Sequence, residues 1–99
     1  MRSIETGGAR RRAGGGLAMI RVLLFGRLAD VAGWREKTLH AAPASVAAIE
    51  ALIGADDPDL AAALRRPGVR AAVNRVLAIG DGPVPEGAEV AFMPAMSGG

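Results

Sequence analysis

The sequence predicts an α+β domain in which a mixed sheet packs against one main helix. Three observations lead there. Short runs of branched and aromatic side chains recur between Gly- and Pro-containing turns, as strands do. One stretch, residues 45–54, carries apolar residues at three-and-four spacing, the period of a helix with one buried stripe. The order is two strands, then the helix, then further strands, so the helix crosses the sheet and the first and last long strands can lie side by side in parallel.

The first strand is expected over Met19 to Phe25, a run of Met-Ile-Arg-Val-Leu-Leu-Phe ended by Gly26. Ile20, Val22 and Leu24 share one face and Leu23 and Phe25 the other, so both faces are expected to need cover. Arg27 to Ala32 supports one or two helical turns stopped by Gly33. Arg35 to Ala41 alternates enough for a short strand, with Trp34 packing over the core edge. Ser45 is an N-cap whose hydroxyl can satisfy a first-turn amide, and Val46, Ile49, Leu52 and Ile53 form the stripe of the main helix, closed by Gly54. A shorter helix follows over Asp56 to Leu64, capped by Asp56 or Asp57, with Leu60 and Leu64 inward. Arg65-Arg66-Pro67-Gly68 reads as a charged helix end and turn. Val69 to Val73 is a strand, Asn74-Arg75 turns the chain into Val76 to Ile79, and two turns, Gly80 to Pro83 and Pro85 to Gly87, lead to a last strand over Ala88 to Met93.

Composition narrows the chemistry. The 99 residues are 51% apolar, enough for one small core built mostly from aliphatic side chains, since there is no Tyr, one Trp and two Phe. Without cysteine there is no disulfide, thiolate metal site or cysteine nucleophile, and a single histidine, His40, does not make an imidazole zinc site. The net charge of +2 is unevenly spread. Residues 1–18 carry Arg2, Arg10, Arg11 and Arg12 against Glu5, while residues 19–99 carry eight basic and nine acidic side chains, so the basic character lies in a Gly- and Arg-rich leader. That leader is expected to be a flexible extension, with Met19 as an alternative start, and nucleic acid is not an expected partner because neither a folded basic face nor stacking aromatics is evident. No segment has the length of a membrane span or the pattern of a secretory signal, so a cytoplasmic location is expected.

The chain ends in Met96-Ser97-Gly98-Gly99 after Pro94. Pro94 restricts φ where the last apolar run ends, and glycines without Cβ atoms can thread a narrow groove and present a terminal carboxylate to another protein. Residues 94–99 reach about 20 Å when extended. No acid-base constellation accompanies this tail: Asp30, Asp56, Asp57 and Asp59 read as caps or surface carboxylates, and His40 as an exposed or sheet-edge residue.

The opening Met19-Ile20-Arg21-Val22-Leu23-Leu24-Phe25, the stretch Ala71-Ala72-Val73-Asn74 and the ending Gly87-Ala88-Glu89-Val90-Ala91-Phe92-Met93-Pro94 through Ser97-Gly98-Gly99 resemble, in order and spacing, the small sulfur-carrier subunit of molybdopterin synthase, a ubiquitin-like β-grasp family. The resemblance implies a β-grasp domain over 19–93 and an extended functional tail over 94–99. It implies that the Gly99 carboxylate is adenylated at the expense of ATP by an activating enzyme and converted to a thiocarboxylate, with a transient AMP adduct and no permanently bound cofactor. The tail would then enter the large catalytic subunit of the synthase and donate sulfur to a cyclic pyranopterin precursor. The carrier itself is noncatalytic in this reading, and a sulfurtransferase or other donor supplies the sulfur. Gly98 and Ser97 give the tail access, and Phe25, Leu77 and Met93 match an apolar docking surface near its root, though Leu77 could equally be core. Met93 stands where an aromatic is expected, and Ala29 where a basic residue is frequent, leaving Arg27 or Arg75 to supply the charge. The alternatives are a sulfur carrier for thiamine or tRNA thiolation, and a ubiquitin-like modifier joined to lysines, with Lys37 the only lysine of the chain itself.

Overall fold

The computed structural model describes residues 19–40, 45–78 and 81–95. Along the chain these form β1 (Ile20–Leu24), α1 (Arg27–Ala32), β2 (Glu36–Leu39), α2 (Val46–Gly54), α3 (Pro58–Leu64), β3 (Arg70–Val73), β4 (Val76–Leu77) and β5 (Glu89–Met93). The five strands make one mixed sheet in the order β2-β1-β5-β3-β4. The expected parallel pair is present: β1 lies beside β5 with Val22 opposite Val90 and Leu24 opposite Phe92. The neighbours β1 with β2, β5 with β3, and β3 with β4 are all antiparallel. This mixed sheet with helices on one face is the α+β, β-grasp arrangement.

One face of the sheet and the inner sides of the helices build a single core. Ile20, Val22, Leu24, Val90 and Phe92 from the two central strands meet Leu28 of α1, Val46, Ile49 and Ile53 of α2, and Leu60 and Leu64 of α3, all buried. The alternation along β1 and β5 explains this directly, because every second side chain of a strand falls on the same face. Trp34 packs half-buried at the core edge with the Lys37 ammonium 4.6 Å from its ring centroid.

The helix ends follow the expected chemistry and add to it. Ser45 Oγ accepts a hydrogen bond from the Ala48 N–H at 3.2 Å, and of the two candidate caps for α3 it is Asp57 that accepts from the Leu60 N–H at 3.0 Å, with Pro58 in the first helical turn. The loop after β4 supplies two further bonds to α2: Gly82 O accepts from the Val46 N–H at 3.1 Å and Asp81 Oδ1 from the Ala47 N–H at 2.9 Å. Three of the four orphan amides at the start of α2 are thereby satisfied.

Several expectations need correction. Leu52 does not join the buried stripe and is 48% exposed; Ile49 and Ile53 already occupy the face against the sheet, and Leu52 falls on its flank. Gly54 is the last residue of α2 rather than a stop beyond it, and a Cβ there would lie 3.0 Å from the Cβ of Ala61, so close packing against α3 explains the glycine. β4 holds only Val76 and Leu77, and Ile79 lies outside the described residues. Above all, among the described residues only one face of the sheet is covered by helices, although Leu23, Ala91 and Met93 give the other face an apolar strip as well.

Candidate functional site

β5 is a central strand, flanked by β1 and β3, so the chain leaves the sheet from its middle. Because β5 runs parallel to β1, it leaves at the end where β1 turns into α1; because it runs antiparallel to β3, it leaves where α3 hands over to β3. Pro94 and Ala95 therefore emerge between two turns. The first is anchored by the Phe25 N–H donating to Phe92 O at 3.1 Å, and the second by the Val69 N–H donating to Arg66 O at 3.3 Å. Beside this exit, on the helix side, α1 and α3 leave a groove of about 620 Å³ with Leu28, Val31, Ala63 and Val69 in its walls and Arg27 and Arg66 at its rim, reaching Pro94 and Ala95.

On the other side of the exit lies the helix-free sheet face. Strand register places Leu23, Ala91, Ala72 and Leu77 in one row across four strands. One step toward the exit, continuation of the same register sets Phe25 beside Met93, with Arg70 opposite Met93. Phe25 and Leu77 are 47% and 48% exposed and Met93 is half-buried. The structure thus brings Phe25, Leu77 and Met93 onto one surface adjoining the root of the tail, and Leu77 is not core. An apolar patch of this kind, edged by charges, has the build of an interaction surface.

The opposite edge of the patch is polar and ordered. Arg21 of β1 donates a hydrogen bond to Glu89 of β5, with its Nε also 3.7 Å from Glu36, and Arg75 Nε stands 3.7 Å from Glu89. The Glu89 carboxyl is held below the usual glutamate range chiefly by that bond from Arg21, and Arg21 is raised chiefly by the same bond. Asn74 closes the group by accepting from the Glu89 N–H at 3.0 Å, within a two-residue turn in which Asn74 and Arg75 both have positive φ.

The two cations suggested from the sequence are differently placed. Arg75 is engaged with Glu89 at the far edge, and Arg27 lies on the helix side of the exit. Ala29 is buried on the inner side of α1, so a longer basic side chain at this position would meet the core. The exposed cation next to Met93 is Arg70, which no spacing argument singled out because the β3–β5 register is not visible in the linear chain. Ser97, Gly98 and Gly99 lie outside the described residues, as do residues 1–18.

Among the described residues no group of three or more His, Asp or Glu side chains could hold a metal ion, and no helix is long and apolar enough to cross a membrane. The arrangement brings Pro94 and Ala95 out of the central strand with two different surfaces beside them, the groove between α1 and α3 and the strip that carries Phe25 and Met93.

Solved structures with the same fold include the small archaeal modifier protein 1 of H. volcanii, with TM-score 0.67 and 23% identity over 80% of this chain and 99% of that one. The small archaeal modifier protein 1 of Methanosarcina acetivorans superposes with TM-score 0.70 at 20% identity, covering 86% of this chain and 100% of that one. A putative molybdopterin converting factor, subunit 1, of Pyrococcus furiosus gives TM-score 0.67 at 21% identity over 80% of this chain and 99% of that one. At these identities the likeness is one of fold. No curated protein matches the chain by sequence. The family comparison reaches further, because its match runs through the body and the tail to the final glycine: the chain belongs to the ThiS family over residues 22–99.

Proposed function

We propose that this protein is a carrier whose C-terminal Gly99 is activated as an acyl-adenylate and charged with sulfur. The supporting observation is that the family match includes Gly98 and Gly99, while Pro94 and Ala95 leave the central strand beside the apolar strip of Phe25 and Met93. In this reading residues 19–93 are the body, 94–99 the working tail, and residues 1–18 an Arg- and Gly-rich leader.

The chemistry explains the requirement for a partner. A carboxylate resists nucleophiles, so one Gly99 oxygen attacks the α-phosphorus of ATP, pyrophosphate leaves, and the mixed anhydride with AMP has a good leaving group. A sulfide-equivalent nucleophile then adds at the carbonyl carbon and AMP departs, leaving the thiocarboxylate. An adenylating enzyme supplies the ATP site and a sulfurtransferase or other donor supplies the sulfur. Gly98 and Gly99 allow both partners to enclose the chain end without meeting a side chain, and Ser97 offers a hydrogen bond without bulk.

Several acceptors can follow from this common step. The resemblance in the sequence favours a cyclic pyranopterin precursor bound in the large subunit of molybdopterin synthase, docked on Phe25, Leu77 and Met93. The relatives by fold include proteins described as small archaeal modifiers as well as a molybdopterin converting factor, and the matching family model is the ThiS model. These names favour the second reading, sulfur carriage for thiamine or tRNA thiolation or attachment to protein lysines, over exclusive service to molybdopterin.

Intact-mass analysis after incubation with ATP, an activating enzyme and a sulfur donor tests the shared step. Exchange of one oxygen for sulfur at Gly99 is expected, and a chain lacking Gly99 should fold without acquiring it. Sulfur found elsewhere, or none with a competent partner set, would refute the carrier reading. Lysates treated to preserve covalent adducts distinguish the destinations: higher-mass lysine conjugates indicate modification, and a charged tail without conjugates indicates sulfur transfer.

A further inference from the structure

Two glycines stand against the first two residues of the tail. Gly26, in the β1–α1 turn, has φ +56°, and a Cβ added there would lie 2.9 Å from Pro94 Cγ. Gly68, in the α3–β3 turn, has φ +89°, and its added Cβ would lie 2.7 Å from the Cβ of Ala95 and 3.4 Å from its Cα. Both positions need glycine for their backbone conformation, but positive φ does not account for the contacts. Gly33 makes the comparison clear, since it has φ +82° and open space around its missing Cβ. Among the described glycines, only those of the two turns that flank the exit bring bare backbone up against Pro94 and Ala95.

We propose, resting on the carrier reading above, that Gly26 and Gly68 are positioning residues: they form a two-sided guide that seats Pro94 and Ala95 and sets the line along which the tail leaves the body. The guide matters because the remaining reach is short. Residues 96–99 span about 14 Å when fully extended, so once the body is docked there is little slack to recover a misdirected start. A swing of the root by a few degrees displaces the reactive carbonyl on the ångström scale, and displacements of about 1 Å at a reacting centre can lower rates by up to about a hundredfold. Gly26 acts on Pro94, whose ring restricts φ, and Gly68 acts on the residue after it, so the two contacts control successive residues. A side chain at either glycine would fill the seat and lever the tail away.

The test uses the full chain with Gly68→Ala, Ala95→Gly, the double variant, and Gly33→Ala as the control for backbone strain alone. Two readouts are taken, the rate of adenylate formation at Gly99 with an activating enzyme and the backbone amide signal of Ala95 by NMR. Gly68→Ala should lower the rate by about tenfold or more and move the Ala95 signal. Gly33→Ala should lower the melting temperature while leaving both readouts in place. Pairing Gly68→Ala with Ala95→Gly removes the methyl that the new Cβ meets, and the rate should return to that of Gly33→Ala. The guide is overturned if Gly68→Ala and Gly33→Ala lose rate equally in proportion to lost stability, or if the double variant shows no recovery. Where the unsubstituted chain forms no adenylate, the carrier reading fails on its own. The remaining NMR comparison then decides the guide: an Ala95 signal moved by Gly68→Ala but not by Gly33→Ala supports it, and an unmoved one refutes it. Gly26→Ala with and without Pro94→Ala asks the same question from the other side, should Gly68→Ala fail to fold.

Discussion

The carboxylate of Asp81 accepts a 2.9 Å hydrogen bond from the backbone N–H of Ala47, tying the loop before β5 to the first turn of α2 from 34 residues away. Ser45 caps the same turn from within the chain's own approach to the helix. Capping bonds of this kind typically contribute about 1 kcal/mol. Asp81→Ala and Ser45→Ala should each lower unfolding free energy by about that amount, read as a reduced denaturant midpoint with unchanged slope. Because both bonds serve one helix end, the double variant should depart from the sum of the singles.

Replacing Ile49 in the core tests the packing of α2 against the sheet. Its side chain is fully buried, so Ile49→Ala removes apolar contacts and leaves a cavity, at a cost of about 2–5 kcal/mol. In a domain this small that is a large share of total stability. Leu52→Ala, one residue before Ile53 on the exposed flank, should cost far less. Equal losses would contradict the placement of Leu52.

Docking on the helix-free sheet face is tested by truncating its exposed side chains. Phe25→Ala with Met93→Ala should weaken assembly with a synthase large subunit by about tenfold or more, as loss of apolar anchors at an interface centre does. The folded state should persist, since Phe25 is half exposed and neither residue belongs to the fully buried core. Leu77→Ala should act in the same direction, and Arg70→Glu should slow association most at low salt. Affinity unchanged in the Phe25 and Met93 double variant would remove the docking assignment.

The pairing of Arg21 with Glu89 has a pH signature. The folded state holds the Glu89 carboxyl below its ordinary range, so the folded protein binds that proton less readily than the unfolded chain. Its stabilising contribution is complete above the ordinary glutamate range, about 4.3, and is lost as the pH falls through the lower folded value. Thermal unfolding followed from neutral to acid pH should show Glu89→Gln less stable than the parent near neutrality, with the difference closing in acid. Arg21 is exposed over half its side chain, so added salt should shrink the effect.

Shortening the tail separates chemistry from folding. Removal of Gly99 should abolish charging and leave the melting temperature within about 2 °C of the parent, because one terminal residue without a side chain has little apolar surface to bury. Ser97→Ala should retain charging at a reduced rate, since it removes one hydroxyl and no backbone. Abolition of charging by Ser97→Ala alone would assign that hydroxyl a larger part than access.

Much of the fold is legible in the linear chain because its signals are local. Val46, Ile49 and Ile53 reveal α2 through their spacing, Ser45 and Asp57 announce helix starts through their capping chemistry, and the alternation of Val90, Ala91, Phe92 and Met93 marks a strand with two faces. The pair of terminal glycines is likewise visible as a feature of composition and position. Leu52, by contrast, fits the helical period as well as Ile53 does, yet Ile49 and Ile53 are the side chains that α2 buries and Leu52 stays outside the core.

The elements, their order and the glycine-ended tail follow from the linear chain, because propensity, periodicity and capping act between residues a few positions apart. Folding in three dimensions adds what no neighbouring residue could: Arg70 stands opposite Met93, Leu77 shares a surface with Phe25, and Asp81 caps a helix begun 35 residues earlier. It also decided that Gly26 and Gly68, far apart in the chain, meet Pro94 and Ala95 on either side of the exit. These relationships depend on strand register and on turns converging in space, and register is set by the packing of the whole sheet against its helices rather than by any local pattern.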